Sequence, residues 1–153
     1  MPATKIKEYL DKNRIKYEVI THPLAYTAQG VAAASHIAGK DVAKTVIVKI
    51  DGKPVMAVLP APRRLDLQEL RKVAGTDSVE LATEQEFADI FPDCEPGAEP
   101  PFGNLYGIDT IVSDALTEDE QIAFNAGTHT ECIRLAYRDY AKLVRPKVAH
   151  IAT

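Results

Sequence analysis

Lys44 is the residue whose setting most needs a chemical reason. It lies in the run Asp41-Val42-Ala43-Lys44-Thr45-Val46-Ile47-Val48, which reads as a strand, and at a period of two it shares a face with Val42, Val46 and Val48. An ammonium among branched apolar side chains is either a guard against edge-to-edge pairing or a cation set in a pocket wall. The pocket arrangement is expensive unless an anionic ligand compensates the charge. A second candidate is Gly97-Ala98-Glu99-Pro100-Pro101-Phe102-Gly103. Prolines stiffen such a segment and glycines let backbone N–H groups approach a ligand, although a plain connecting loop has the same composition. The third is Ala126-Gly127-Thr128-His129-Thr130, a turn with an imidazole and two hydroxyls that serves equally well as a capped hairpin.

Absences narrow the chemistry. There is no Gly-rich phosphate cradle of Walker or dinucleotide type and no GxSxG elbow. His22, His36, His129 and His150 show no HExxH spacing, and Cys94 and Cys132 form no CxxC pair, so no metal and no cofactor is expected. Glu118-Asp119-Glu120 reads as a solvated turn.

The 153 residues, 46% hydrophobic and 26% charged, exclude a disordered chain and leave room for one domain over residues 1–153. Two distant cysteines fit a reducing compartment. Met1–Lys5 runs into a charged amphipathic segment rather than a signal peptide, and no apolar run approaches the ~18 residues of a membrane span. A cytoplasmic protein with no membrane partner is expected. A net charge of −4 argues against a general nucleic-acid coat protein, but the charge is uneven. Eight acidic residues and no Lys or Arg occupy Asp77–Glu99. Arg134, Arg138, Lys142, Arg145 and Lys147 crowd the C-terminal end, and Arg63, Arg64, Arg71 and Lys72 form a second basic cluster. Either is a solvated face or a local phosphate-binding edge; for the latter, Arg134, Arg138 and Lys142 are the leading residues.

The elements that must hold these residues are legible. Ile6, Tyr9 and Leu10 mark one helix face over residues 4–13. A short extended piece, Tyr17–Ile20, stops at His22-Pro23. Thr27 caps a second helix running through Ile37, with Gly39 as its stop. Residues 42–50 and 55–59 flank Asp51-Gly52 as a hairpin. Asp66 with Glu69, and Thr83 with Glu86, start two further helices in capping-box fashion, with a weak strand between them. Four prolines and two glycines in residues 92–103 make that segment a loop. Strands are predicted at 104–108, 110–113, 121–125 and 132–135, and a last helix over 137–144. The order implies an α+β fold with a mostly antiparallel mixed sheet and surrounding helices.

Taken together, Ala43-Lys44-Thr45-Val46, the hairpin end Val58-Leu59-Pro60-Ala61, Arg64-Leu65-Asp66, the Gly97-x-x-x-Pro101 spacing with Phe102-Gly103, and Gly127-Thr128-His129 resemble the YbaK/EbsC family over about residues 15–143. That family comprises the editing domain associated with prolyl-tRNA synthetase and its free-standing relatives. The resemblance implies an α+β editing-domain fold and a trans-acting deacylase that hydrolyses the ester of mischarged tRNA. It implies that Lys44 acts at the phosphate and ribose of the terminal adenosine. Gly97 to Pro101 would contact the aminoacyl group through the backbone, and Gly127, Thr128 and His129 would line the pocket. Thr45, Phe102 and Gly103 are expected to contact substrate beside them. The partner is the 3′ end of aminoacyl-tRNA, with a synthetase as a further one. Thr128 stands where the family often has Asn, and Pro62-Arg63 where many relatives have a small polar residue. Ala, Cys, Ser and Thr, on an acceptor such as tRNA-Pro, all remain open as the amino acid removed.

The chemistry is consistent with the missing triad. An aminoacyl ester is already activated, so positioning water and stabilising an oxyanion suffice, and backbone N–H groups do that without a side-chain nucleophile. A ribose hydroxyl of the substrate would assist. His129 is either a general base or a structural hydrogen-bonding group. The rival readings are a non-catalytic tRNA- or synthetase-binding module and a hydrolase of small esters.

Overall fold

The computed structural model describes residues 4–153; Met1–Ala3, the start of the segment read above as lacking a signal peptide, lie outside them. Helix α1 (Thr4–Lys12) turns Ile6 and Leu10 fully inward. Strand β1 (Tyr17–Thr21) ends before His22-Pro23. Thr27 caps α2 (Ala28–Ser35), its hydroxyl accepting from the Gly30 N–H. This helix stops short of Ile37. His36 takes a left-handed conformation (φ 58°), and the N–H groups of His36 and Ile37 bond back to Ala33 and Ala32, closing the helix without a glycine. Gly39 instead opens a 3-10 turn over Gly39–Asp41.

Strands β2 (Ala43–Ile50) and β3 (Lys53–Pro60) form the expected hairpin. Asp51 and Gly52 both have positive φ, 52° and 79°, as a two-residue turn that follows the strand twist requires. Asp66 accepts from the N–H groups of Gln68 and Glu69 to begin α3 (Leu67–Ala74). Next come β4 (Val79–Leu81) and α4 (Glu84–Ala88), the latter with a complete Thr83–Glu86 capping box. Then follow β5 (Asp109–Ser113), β6 (Gln121–Asn125), β7 (Glu131–Ala136), α5 (Tyr137–Val144) and β8 (Lys147–Ala149). The strand expected over 104–108 is absent. Gly103–Leu105 form a 3-10 turn, and the N–H groups of Tyr106 and Ile108 both bond to the Gly103 carbonyl. The apolar residues there pack a turn against the core.

The strands make two sheets, β1-β7-β6 and β4-β2-β3-β5-β8. All pairings are antiparallel except β3–β5 and β5–β8, and a single parallel bridge, Val42 to Ala123, joins the sheets. The alternation of the larger sheet sorts its side chains. Ala43, Ile47, Met56, Val58 and Val112 face the smaller sheet, with Leu10, Phe102, Phe124 and Tyr140 between. Val48, Val55, Ala57 and Ile111 face α3 and Ile151. Each fully buried Leu, Ile or Phe in these layers contributes about 1.5–3 kcal/mol by leaving water.

Tyr140 links this core to the loop at 92–103. It is fully buried, packs edge-on against Phe102, and donates its hydroxyl hydrogen to the Pro101 carbonyl at 2.7 Å. Tyr140→Phe keeps the ring and strands that carbonyl. The expected loss is about 1–2 kcal/mol, read as a lower urea midpoint at unchanged slope; an unchanged midpoint would show that the bond does not brace the loop.

Candidate active site

The Gly97–Pro101 loop does not support itself. Pro100 and Pro101 have no N–H to donate, and the loop is tied down by bonds from the β6–β7 turn and α5. The Glu95 N–H donates to the Gly127 carbonyl (2.8 Å) and the Gly127 N–H to the Ala98 carbonyl (2.9 Å). The His129 N–H donates to Glu95 Oε1 (2.7 Å), and its Nε2 lies 2.8 Å from the Pro96 carbonyl. Gly97, at φ 86°, occupies a conformation that disfavours any side chain, and a Cβ there would sit 3.5 Å from the His129 ring. Gly97, Glu95, Gly127 and His129 therefore form one unit.

A carbonyl partner fixes the His129 tautomer. Nε2 must carry the proton, which leaves Nδ1 as a bare acceptor, buried and without a partner. His22 is the mirror case: Nδ1 faces the Pro23 carbonyl at 2.8 Å and the buried Nε2 has no partner. The His22 N–H bonds to the Thr130 carbonyl, so both histidines flank the same turn. Asn125 Oδ1 and Glu99 Oε2 are likewise buried and unpaired. Buried polar atoms are normally satisfied, so His22 Nε2 and His129 Nδ1, on either side of one turn, mark where a polar ligand would find partners. Sequence reasoning took Glu99 only as part of its loop and singled out neither His22 nor Asn125, because unpaired burial is visible only in three dimensions.

Glu99 is 6% exposed. Burial pushes its carboxyl above the ordinary 4.5, against the opposing pull of the Glu99, Gly97 and Ala98 N–H groups. The Ala98 N–H is committed to the Glu95 carbonyl, while the Gly97 and Glu99 N–H groups have no backbone acceptor and are directed at the Glu99 carboxyl.

Lys44 leaves β2 on the opposite face from Thr45, the face shared with Val46 and Val48. Its Nζ donates to the Ala61 carbonyl at 3.1 Å. Burial and the neighbouring Arg64 charge both lower its pKa from the usual lysine value. It forms the wall of a cleft of about 370 Å³ with Thr27, Gln29, Ala61, Arg63 and Arg64. The structure does not bond Lys44 to the Gly97 loop. The segment Ala25–Gln29 borders both: the Ala25 N–H donates to the His129 carbonyl, Tyr26 packs on the His129 ring at 4.8 Å, and Thr27 to Gln29 line the Lys44 cleft.

The remaining positions divide. Gly127 is buried within the tie to the loop, and Thr128 stands half-buried on the turn, 3.5 Å from the Thr130 hydroxyl. Pro101 is buried, its carbonyl held by Tyr140. Phe102 is not a substrate contact: it has no exposed surface and packs against Tyr9, Phe124 and Tyr140. Gly103 is a packing glycine, since a Cβ would lie 2.4 Å from Thr110 Oγ1 and 2.7 Å from the Ile108 carbonyl oxygen. Thr45 points to the inter-sheet side, away from the Lys44 cleft. The cysteines make poor nucleophiles, because burial pushes Cys94 up to about 12 and also raises Cys132. Among the described residues no three His, Cys, Asp or Glu side chains are grouped to hold a metal ion, and no helix is long and apolar enough to cross a membrane.

Residues 22–143 match the profile of the aminoacyl-tRNA editing domain. The chain belongs to that family. Like other editing domains it is an aminoacyl-tRNA deacylase, acting on the ester between amino acid and tRNA. It is 27% identical over 146 residues, 92% of this chain and 87% of the relative, to the multifunctional Ser/Thr-tRNA deacylase ProXp-y of Escherichia coli K12. It is 31% identical over 121 residues to the proline–tRNA ligase of Streptococcus gordonii, covering 73% of this chain but 18% of that enzyme. A solved candidate trans-editing enzyme for prolyl-tRNA synthetase shares the fold with a TM-score of 0.86 at 18% identity, over 99% of this chain and 97% of the other.

The buried carboxyl of this editing domain gives a signed pH test. A native pKa above the unfolded one means that stability is full below 4.5 and falls as pH rises through the raised native value. Glu99→Gln removes that decline. Its melting temperature should exceed the wild type's near neutral pH, and the two curves should converge in acid; parallel curves would place the carboxyl in water.

Proposed function

We propose that this chain is a trans-acting deacylase that clears small, wrongly attached amino acids from tRNA, with tRNA-Pro as one acceptor and assistance from the substrate's own ribose hydroxyl. The supporting observation is the Lys44 cleft, a cationic recess that meets the Gly97–His129 unit along Ala25–Gln29. A terminal nucleotide with its phosphate at Lys44 would pass over this segment and present its ester to the loop. Tyr26, 70% exposed beside His129, offers an aromatic face of the kind on which a base stacks. Water then attacks the ester carbonyl, the Gly97 and Glu99 N–H groups exchange the Glu99 carboxyl for the oxyanion, and the ribose oxygen leaves with a proton. Lys44 holds the anionic end and makes no covalent bond. His129 braces the loop through Nε2, and its buried Nδ1 has no partner within the protein. Among Ala, Cys, Ser and Thr, the relative named for Ser- and Thr-tRNA favours the two hydroxyl amino acids.

The test is amino-acid release by purified protein from tRNA-Pro carrying each of the four residues. Lys44→Ala should fold with an equal or higher melting temperature, because an apolar side chain suits Val46 and Val48. It should lose roughly 30- to 1,000-fold in kcat/KM, the equivalent of about 2–4 kcal/mol of transition-state stabilisation. Lys44→Arg should not restore turnover, since a planar fork does not replace a compact ammonium. A stable Lys44→Ala variant with wild-type turnover would remove Lys44 from the mechanism. Binding of tRNA without release of any amino acid would favour a binding module.

A further inference from the structure

Several of the basic residues already have partners. Arg134 Nη2 lies 2.6 Å from Glu18, Lys72 pairs with Glu69, and Arg71 donates to the carbonyls of Asp77 and Val79. Arg138 borders a recess that also holds Asp119 and Glu120. Arg63 and Arg64 are different. Both are exposed, and among the described residues neither forms an ion pair or a side-chain hydrogen bond. Both face the Lys44 cleft, whose lining has no acidic residue. Arg64 stands close enough to Lys44 to disfavour its charge.

The backbone holds these like charges together. The Arg64 N–H donates to the Thr153 carbonyl and the Thr153 N–H returns to Arg64, at 3.0 and 2.9 Å. Leu65 bridges to Ala152, the Asp66 N–H bonds to Ile151 at 2.7 Å, and the Ala61 N–H bonds to Val42 at 2.8 Å. The segment is thus clamped between β2 and the buried residues Ile151 and Ala152. Three cations fixed around one recess without a counter-ion repel one another, and an anion with several oxygens relieves that repulsion. Guanidinium forks suit a phosphodiester, and a cleft of about 370 Å³ admits one.

We propose that Arg63 and Arg64 form a phosphate clamp for the single strand that leads to the terminal adenosine, holding the phosphodiesters next to the one at Lys44. This rests on the deacylase reading above. It divides the labour of the cleft: the arginines supply binding, equal in ground and transition states, and Lys44 supplies the part that matters for turnover.

The experiment compares wild type with the double variant Arg63→Gln/Arg64→Gln, with Arg134→Gln as the control. Each is tested for kcat and KM on mischarged tRNA and for the salt dependence of binding uncharged tRNA, with and without its three terminal nucleotides. The double variant should keep its melting temperature, because the bonds to residues 151–153 are backbone bonds. Its KM should rise about tenfold or more at nearly unchanged kcat, and its log–log salt slope should fall by roughly 0.7 for each phosphate that is no longer neutralised. The effect should vanish on tRNA lacking the terminal nucleotides. Arg134→Gln should change none of this. An unchanged KM and slope in the double variant overturns the clamp while leaving the deacylase reading intact. Arginine-dependent tRNA binding by a wild type that releases no amino acid upholds the clamp and overturns that reading instead. Arginine-dependent binding of inorganic phosphate, with tRNA binding unaffected by the double variant, makes the cleft a free-phosphate site and overturns the strand assignment.

Discussion

The arrangement depends on how a proline-rich loop with few donors is held still. Pro96, Pro100 and Pro101 cannot donate, so a helix or ladder within the loop is closed to it. Its bracing comes from elsewhere: His129 reaches the Pro96 carbonyl, the Gly127 N–H takes the Ala98 carbonyl, and Tyr140 takes the Pro101 carbonyl. The β6–β7 turn and α5 thus hold the loop in place. The tie also decides what His129 offers, because a proton held on Nε2 leaves Nδ1 as the free lone pair.

The pieces of the site lie on two faces of one strand. The alternation of β2 sends Lys44 to the α3 side, while the Gly97 loop packs on the inter-sheet side with Phe102 and Tyr140. Ala25–Gln29, just before and within the first turn of α2, borders both. Its stiffness at one end comes from the Thr27 cap and at the other from the Ala25–His129 bond. An extended ligand with a phosphate at one end and an ester at the other matches such a divided site better than a compact one would.

Electrostatics follows the same division. The cleft side gathers cations without acids, and the loop side buries Glu99 with its carboxyl pushed towards the neutral form. Two opposite charge problems therefore sit on either side of Ala25–Gln29. Unpaired arginines remain solvated at low cost, whereas a buried carboxyl is expensive when ionised. The protein as a whole stays acidic, which keeps attraction to polyanions local to the cleft.

Elements whose cause is local could be read from the chain alone. The caps at Thr27, Asp66 and Thr83, the Asp51-Gly52 turn and the period-two runs of β2 and β3 each depend on a few neighbouring residues, and each appears where the chain predicts it. The spacing of Lys44, Gly97 to Pro101 and Gly127 to His129 also carried the family. Other features waited on the assembled fold. Whether 104–108 is strand or turn depended on Gly103 packing against Thr110 and Ile108, partners that a local pattern does not contain. Short β8 exists because a neighbouring strand offers an edge, with too few residues to show a period. Phe102, expected from the resemblance to contact substrate, lies fully buried in the core, because burial is set by what packs around a residue. The choice between the two basic clusters was likewise invisible in the chain: Arg134 and Arg64 are the same side chain, and only the fold gives one a glutamate and leaves the other facing an open cleft.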